Sequence, residues 1–255
     1  MTIPNPSAEL LFRTPSNPEH VPFNGFPESC FEFFAMLEQH NNRTWFDSMR
    51  DACSAQVISP AQAFIAAMGT ALKPLYPQIV FDCRSNGSGS MFRLARDTRF
   101  SKDKSPYKTN LGLRFWLSAE ARQAGRVGLY LHLDKSGVRV YGGTHRLSSE
   151  ELAAFRVYAA DEQHGARLRE NLATLEKQGF GIEGEQLMRL PRGYAIDHPC
   201  ADLLRYKNLF ALSPKIDRDS AQNAGLIGLC LNHAAALKPL NDWFIDALPP
   251  LPAAD

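Results

Sequence analysis

The residues best suited to chemistry are concentrated in one polar segment, Arg93 to Thr109. It contains three arginines, three lysines, two threonines and two serines, so hydrogen-bond donors greatly outnumber acceptors. An arginine can bind two oxygens of an oxyanion at once, and a lysine adds a point charge. This composition therefore predicts a binding site for phosphate, sulfate or carboxylate groups.

Positive charge is concentrated around this segment. Between Arg84 and Arg114, eight basic residues against two acidic ones give a net charge of +6, whereas the whole chain carries a formal net charge of only +1. The balanced total argues against a protein that coats nucleic acid or membranes with its entire surface. The alternative to a binding site is a solvated loop whose charges pair with one another.

Two carboxylates inside the segment extend its possible chemistry. Asp97 and Asp103 could orient the neighbouring cations, or one of them could act as a general base. The segment connects two predicted strands, and irregular connections longer than about 12 residues are usually either functional or disordered. The candidates to bind an anion here are Arg93, Arg96, Arg99, Lys102, Lys104 and Lys108, with Tyr107 beside them.

The strands that follow offer a second polar surface. Alternation puts leucines and Phe115 on one face of these strands, which makes that face the core. The opposite face carries cations, aromatic rings and one histidine, namely Arg114, Trp116, Tyr130, His132, Arg139 and Tyr141. Trp116 or Tyr130 could stack against a ring held beside the basic segment. Alternatively, the C-terminal helices cover this face and it binds nothing.

Three functions are compatible with these residues. The first is a site that binds or transforms an anionic, phosphate-containing small molecule such as a nucleotide. The second is nucleic-acid binding, with the same cations on phosphates and with Phe100, Tyr107 or Trp116 stacked on bases. The third is a non-enzymatic module that docks an acidic protein partner. The residues leave open whether the protein is an enzyme.

Motifs of common cofactor-dependent and metal-dependent enzymes are absent from the sequence. It contains no GxxxxGK[ST], HExxH or GxSxG motif, and GSGS at 87–90 leads into a strand rather than a phosphate-binding helix. The five cysteines include no CxxC pair, which argues against a zinc site and a disulfide framework. We therefore expect no cofactor, no metal and free thiols.

The sequence also predicts a cytoplasmic protein that does not enter a membrane. The N-terminus has no apolar region typical of a signal peptide. No stretch approaches the ~20 consecutive apolar residues that a membrane-spanning helix needs.

Apolar periodicity predicts the elements that position these residues. Helices are predicted at 28–39, through Trp45, Met49 and Cys53, and at 59–74. Period-two alternation predicts strands at 79–83, 91–96, 111–117, 127–133 and 138–141. A capping box that begins at Ser148 opens a C-terminal third with predicted helices at 151–159, 162–178, 200–206, 224–237 and 240–248.

This order of elements predicts an α+β fold. Strands so close in sequence cannot be connected in parallel by helices, so we expect a largely antiparallel sheet of about five strands within residues 79–142. N-terminal helices and the mostly helical C-terminal third should flank it. The chain has 255 residues and is 44% hydrophobic, enough for one large core. We expect a disordered, extended tail over residues 1–22 and a single domain over residues 23–255.

Four motifs resemble a protein family of bacteria and fungi, domain-of-unknown-function family 2461. They are FNGFPES at 23–29, NNRTWFDSMR at 41–50, FRLARDTRFSKDKSPYKT at 92–109 and PRGYAIDHPCADLLRYK at 191–207. Met188 departs from the family pattern, in which a lysine is expected. The resemblance implies a shared fold and a shared site, and it implies no established activity.

The resemblance directs attention to the motif at 191–207 as a second part of the site. It adds Arg192, Arg205 and Lys207 as ligand-binding candidates and His198 as a candidate for acid–base chemistry. The same residues have a simpler interpretation, in which Asp197, His198 and Pro199 begin a helix. Convergence of this motif with the basic segment on one concave surface would favour the functional interpretation.

Overall fold

The fold begins with a series of helices, as the apolar periodicity predicts. The structure is a computed structural model that describes residues 22–249 except residues 100 and 125–127. Helices α1 (Glu28–Gln39), α2 (Arg43–Ser48) and α3 (Arg50–Cys53) are followed by a π-helical turn (Ser54–Ile58) and by α4 (Ser59–Leu72). The predicted tail lies outside the described residues, apart from Pro22.

The second predicted helix is interrupted where one continuous helix was expected. Asn42 begins α2, and its side chain accepts a hydrogen bond of 3.0 Å from the backbone N–H of Trp45. The helix ends at Met49, whose N–H is shared between the carbonyls of Trp45 and Phe46 at 3.1 Å each. A bifurcated bond of this kind is typical of a helix terminus.

One helical stretch is long and apolar enough to cross a membrane by length and composition, Arg50–Leu72. Its apolar side chains are instead buried within the protein, including Val57, Phe64, Ile65 and Met68, each with 0% exposure. One side of the stretch therefore packs into the core of the protein.

A five-stranded antiparallel sheet forms the centre of the fold. Its strands are β1 (Asn110–Trp116), β2 (Gly128–Asp134), β3 (Gly137–Thr144), β4 (Gly181–Glu183) and β5 (Leu209–Leu212). Their order is β1-β2-β3-β5-β4, and every pair is antiparallel. The predicted α+β class with an antiparallel sheet is confirmed.

The strands themselves differ partly from the prediction. β1, β2 and β3 correspond to three predicted strands, although Val127 lies outside the described residues. β4 and β5 were not predicted, because GIE and LFAL are too short to show alternation. The sheet therefore extends to Leu212, well beyond the range expected from the sequence.

The predicted strands at 79–83 and 91–96 form only isolated bridges among the described residues. Val80 pairs with Trp116, Met91 with Leu113 and Ala95 with Tyr107. Between them, the Ser90 hydroxyl accepts a hydrogen bond of 3.0 Å from the Asp82 N–H. Side-chain bonds of this kind compete with a regular strand ladder. The chain nevertheless follows the outer edge of β1 at the bridges of Val80 and Met91, whereas the bridge of Ala95 lies beyond β1.

Helices return after β3 and pack mainly beside β3. They are α6 (Ser149–Ala160), α7 (Glu162–Lys177), α8 (Ala201–Leu204), α9 (Arg218–Ala221) and α10 (Leu226–Ala247), and the short α5 (Ala119–Ala124) precedes β2. The predicted capping box is present at the start of α6.

The last two predicted helices form one helix, α10, which contains Pro239 in its interior. The prediction of a break was wrong, because the apolar face on both sides of Pro239 is buried. Tertiary packing of such a face outweighs the local cost of a proline.

The core lies on one face of the sheet, the face that alternation predicts. Leu111, Leu113, Phe115, Leu129, Leu131 and Leu133 are at most 1% exposed. α10 packs against β3, and α4 and α7 pack against α10. One connected set of buried side chains runs from Phe23 to Leu248. The opposite face of the sheet carries the polar residues.

Candidate functional site

A cavity of about 420 Å³ lies on the polar face of the sheet. We call it the sheet cavity. β1, β2, β3 and β5 form its floor, and the chain along the edge of β1 adds Phe92 and Lys108. The lining residues are Phe92, Lys108, Asn110, Gly112, Arg114, Gly128, Leu129, Tyr130, His132, Tyr141, Gly142, Gly143, Thr144, His145, Arg146 and Phe210.

Glycines make this face concave. Gly112 and Gly128 occupy outward positions of β1 and β2, where other residues would fill the space. A Cβ atom on Gly112 would lie 2.8 Å from the Tyr130 ring and 3.0 Å from the Phe92 ring. On Gly128 it would lie 2.3 Å from the carbonyl oxygen of Phe115. Side chains at either position would therefore displace the cavity walls or the backbone.

The end of β3 is shaped by Gly143 and fixed by a buried polar contact. Gly143 has φ +95°, a conformation that favours glycine. Its N–H donates a 2.7 Å hydrogen bond to the side-chain oxygen of Asn241 in α10. The Asn241 amide in turn donates to the Tyr76 hydroxyl at 3.2 Å. The core thereby holds the strand end that carries Thr144, His145 and Arg146 into the cavity.

The lining of the sheet cavity is positively charged. It includes Lys108, Arg114 and Arg146 and contains no aspartate or glutamate. Lys108 and Arg114 both lie over the Phe92 ring, at 5.4 Å and 4.8 Å from its centroid. Within the described part of the chain, none of the three cations forms a salt bridge.

Two of these cations lose hydration without gaining a counterion. Burial lowers the pKa of Arg114 below its ordinary value. Burial, together with repulsion by Arg93 and Arg96, lowers the pKa of Lys108. Both shifts have the sign expected when a positive charge is desolvated near other positive charges.

Hydroxyl and imidazole groups occupy the floor between the cations. Burial raises the pKa of Tyr130 to about 12, so its phenol is neutral at physiological pH. The Nε2 atom of His132 lies 3.5 Å from a carboxylate oxygen of Asp134. Although burial opposes it, hydrogen bonds from His132 and Ser136 hold the pKa of Asp134 below its ordinary value. Asp134 is therefore an ionised neighbour that orients the His132 ring.

The basic segment forms a hairpin in which both aspartates pair with arginines of the same loop. The Arg96 guanidinium donates hydrogen bonds to the Asp103 carboxylate and, at 2.6 Å, to the Ser105 hydroxyl. Arg99 pairs with Asp97 at 2.7 Å. Hydrogen bonds from these arginines lower the pKa of both aspartates. The structure thus brings Lys108 to the sheet cavity and leaves the other cations of the segment outside its lining.

Three of those remaining cations lie at the surface. The Lys104 ammonium donates a 2.9 Å hydrogen bond to the Thr98 carbonyl within the same hairpin. Arg93 and Lys102 are exposed, and neither lines the sheet cavity.

The aromatic candidates of the segment and of β1 have structural contacts instead of lining the cavity. The Asn41 side chain makes two hydrogen bonds to the Tyr107 backbone, at 2.9 Å and 3.1 Å. The Tyr107 ring stacks on Phe46 at 3.9 Å. Trp116 is 6% exposed beneath the Arg122 guanidinium, 4.9 Å from its ring. Phe100 lies outside the described residues.

A second cavity, of about 510 Å³, adjoins the first. We call it the edge cavity, because β4 and the chain after it form one side. Its lining residues are His145, Ile182, Glu183, Gly184, Glu185, Gln186, Tyr206, Asn208 and Phe210. His145 and Phe210 line both cavities. Their rings stack, with centroids 4.0 Å apart, and form the shared wall.

The motif at 191–207 reaches the edge cavity only at its C-terminal end. Tyr206 lines that cavity, and the Lys207 ammonium pairs with the Glu185 carboxylate. Arg192 and Arg205 are exposed and line neither cavity. The Nδ1 atom of His198 accepts a 3.0 Å hydrogen bond from the Cys200 N–H at the start of α8. This contact matches the simpler interpretation of His198 as part of a helix start.

The two motifs therefore contribute to adjoining cavities and not to the same one. The basic segment contributes Lys108 to the sheet cavity, and the second motif contributes Tyr206 to the edge cavity. The stacked rings of His145 and Phe210 lie between the two cavities. Among the described residues, no group of three or more His, Cys, Asp or Glu side chains could hold a metal ion.

Several cavity residues were not among the sequence candidates, including Phe92, His145, Arg146 and Phe210 of the sheet cavity and Glu183 of the edge cavity. The signal that could have identified part of this region is the pair Gly142-Gly143 within an otherwise regular strand, because glycine in a strand often marks a bulge or a close approach. Phe210 had no such signal, because β5 itself was not predicted.

The chain matches a family model over most of its length. The model is described as a conserved hypothetical protein (DUF2461), and the match covers residues 29–243. No curated protein matches the chain, and no solved structure does. The matched range includes every residue that lines the two cavities, from Phe92 to Phe210. The chain therefore belongs to the conserved hypothetical protein family DUF2461, the family that its sequence resembles.

Proposed function

We propose that the sheet cavity binds an anionic, phosphate-containing small molecule such as a nucleotide. The observation that carries this proposal is the charge of the lining, which has Lys108, Arg114 and Arg146 and no carboxylate. An anion would supply the counterions that these residues lack among the described residues.

The energetics of the two inner cations support the proposal. Lys108 and Arg114 have pKa values lowered by burial, so their charged forms are less stable in the empty cavity than in water. A bound phosphate would reverse this penalty, because charge-assisted hydrogen bonds to a phosphate are short and strong. The guanidinium of Arg114 can bind two phosphate oxygens at once.

The shape of the cavity supports a ligand that also carries a ring. Its volume of about 420 Å³ falls within the range typical of small-molecule sites. Phe92, Tyr130, Tyr141 and Phe210 provide aromatic surface around the cations. A nucleotide combines a phosphate with a planar base that can stack on such rings.

Calorimetric titration with pyrophosphate and with a panel of nucleotides tests this proposal. Arg114→Met and Lys108→Met should each weaken binding by about tenfold to a hundredfold, because a hydrogen bond to a charged group contributes about 1.5–3 kcal/mol. Arg189→Met is the matched control, because Arg189 is exposed and lines neither cavity.

The same titrations separate the cavity from the basic hairpin. Lys102→Met and Lys104→Met should leave the affinity unchanged if the cavity binds the anion. A loss of affinity in these variants, with none in Arg114→Met, would contradict the proposed site. Binding of single-stranded oligonucleotides that weakens steeply with salt, without any binding of nucleotides, would instead support a nucleic-acid function.

We also propose that this function is performed in the cytoplasm. All five cysteines are free, and four of them are buried. Free thiols are expected in a reducing compartment.

A further inference from the structure

The two cavities have opposite charges and a common wall. Lys108, Arg114 and Arg146 line the sheet cavity, whereas Glu183 and Glu185 line the edge cavity. The charges are therefore separated along one continuous surface, with the stacked rings of His145 and Phe210 between them.

The wall between the cavities is held in place by Asn208. The Asn208 amide donates a 3.1 Å hydrogen bond to the His145 carbonyl. Its side-chain oxygen accepts a 2.7 Å bond from the Glu185 N–H. The N–H and the oxygen of this side chain therefore connect the end of β3 to the chain that follows β4. These two hydrogen bonds fix the position of one cavity relative to the other.

Of the two carboxylates in the edge cavity, one forms an ion pair with a described residue and the other does not. Glu185 pairs with Lys207. Glu183 forms no salt bridge with any described residue. It is the register partner of Phe210, so the two side chains lie on the same face of the sheet. Burial raises the pKa of Tyr141 in the sheet cavity, and the negative charge of Glu183 adds to this rise.

We propose that the two cavities form one elongated site, in which Glu183 binds a hydrogen-bond donor group at the far end of the anionic ligand. This inference rests on the proposed function, because the sheet cavity must bind the anionic end. The ligand would carry phosphate at one end and paired N–H groups or an amine at the other. The rings of His145 and Phe210 would contact its middle.

The distance between the two ends favours a nucleoside di- or triphosphate. β1 and β4 are separated by four strand spacings, which corresponds to roughly 19 Å between the Arg114 and Glu183 backbones. The two side chains shorten this gap, because both extend from the same face of the sheet. A nucleoside monophosphate would reach either Arg114 or Glu183 but not both.

Among nucleotides, Glu183 selects guanine. A carboxylate has two acceptor oxygens and no donor. The guanine base presents two adjacent donors, N1–H and the exocyclic N2–H, which match those oxygens. Adenine presents a single donor group beside a ring nitrogen acceptor, and that acceptor would be repelled by the carboxylate.

Calorimetric comparison of GTP with ATP tests the inference, because the two share the triphosphate. Wild-type protein should bind GTP at least tenfold more tightly, and Glu183→Gln should abolish this preference while the affinity for inorganic triphosphate stays unchanged. Glu170→Gln is the matched control, because Glu170 is an exposed glutamate of α7 that lines neither cavity.

A second pair of ligands distinguishes an amine from a base as the donor. 6-Aminohexyl triphosphate and hexyl triphosphate share the triphosphate and an alkyl chain long enough to reach the edge cavity, and they differ in one terminal amine. A preference for 6-aminohexyl triphosphate that is lost in Glu183→Gln, without a preference for GTP, would assign the edge cavity to amines and overturn the guanine assignment.

The outcomes separate this inference from the function on which it rests. If inorganic triphosphate binds and Arg114→Met abolishes its binding, the proposed function stands. If Glu183→Gln then leaves every ligand preference unchanged, the elongated site is wrong. If no anion binds the wild-type protein, the proposed function itself is wrong.

Discussion

At the scale of single residues, the polar groups of this protein divide into paired and unpaired charges. Asp82 is 3% exposed and accepts hydrogen bonds from Arg84 at 2.5 Å and from Arg122 at 2.9 Å. Arg96 and Arg99 are likewise satisfied by neighbouring aspartates. Lys108, Arg114 and Arg146 of the sheet cavity differ from these residues, because none of the three forms a salt bridge with a described residue.

Asp82→Asn should destabilise the fold at neutral pH. Hydrogen bonds from Arg84 lower the pKa of Asp82 from 3.8 to about 2, and this shift corresponds to about 2 kcal/mol of stability. Because the folded pKa is depressed, this stability is present above pH ~4 and is lost as the pH falls towards the folded value. Urea unfolding at pH 7 and at pH 3 measures the difference between the two proteins.

The matched control for Asp82→Asn is Asp47→Asn, which removes an exposed ion pair with Arg50. Exposed pairs contribute about 0.2–1 kcal/mol, so the control should change stability little. An equal loss in both variants, or a loss in Asp82→Asn that does not shrink at pH 3, would show that the hydrogen bonds to the ionised Asp82 carboxylate are not the cause.

At the scale of elements, the contact between α10 and β3 connects the core to the cavity. Asn241 is 0% exposed, yet its side chain bonds both the Gly143 N–H and the Tyr76 hydroxyl. Buried polar groups need such partners, because an unpaired one costs about 1–3 kcal/mol. The buried Asn241 side chain thus stabilises the positive φ of Gly143 through its hydrogen bond.

Asn241→Leu should therefore weaken both the fold and the cavity. The isosteric apolar side chain leaves the Gly143 N–H unpaired and removes one hydrogen bond from the Tyr76 hydroxyl, which keeps its bond to the Ala234 carbonyl, at a cost of about 1–3 kcal/mol. Amide hydrogen exchange at Gly143 should accelerate more than exchange at Leu131. Tyr76→Phe, which removes one hydroxyl and keeps the Gly143 bond, is the control and should leave exchange at Gly143 slow.

At the scale of the whole molecule, separate sequence motifs meet in space. The motif at 41–50 contacts the basic hairpin, because Asn41 bonds the Tyr107 backbone and Phe46 stacks on the Tyr107 ring. The hairpin is therefore attached to the N-terminal helices on one side and to β1 on the other. This attachment sets the position of Lys108, the residue after Tyr107.

Asn41→Ala should release the hairpin without unfolding the core. Loss of the two bonds to Tyr107 exposes the lysines and arginines between Arg96 and Lys104 to trypsin, so cleavage there should be faster while the unfolding midpoint changes little. Asn86→Ala is the control, because the Asn86 side chain bonds only Ser88 in its own loop. Unchanged cleavage in Asn41→Ala would show that the contact does not restrain the hairpin.

The sequence by itself determined the elements with strong periodicity. α1, the core faces of β1 and β2, the start of α2 at Asn42 and the capping box of α6 all follow from local rules. The polar face with Arg114, Tyr130, His132 and Tyr141 follows from the same alternation, because side chains of a strand project to opposite sides. The concentration of charge near Arg93 to Thr109 is also a property of the sequence alone.

Only the tertiary structure decided which of these residues share a cavity. Arg96 and Arg99 form ion pairs inside the hairpin and do not line the sheet cavity. Tyr107 packs against Phe46 and does not line it either. Short strands without alternation bring Phe210 beside β3 and Glu183 beside Phe210. Distances between residues far apart in the chain depend on the order of strands in the sheet and on the ion pairs within loops. Local sequence patterns encode neither of these. The sequence thus predicts an anion site from the basic segment, and the sheet determines which residues share the cavity in which we propose that site.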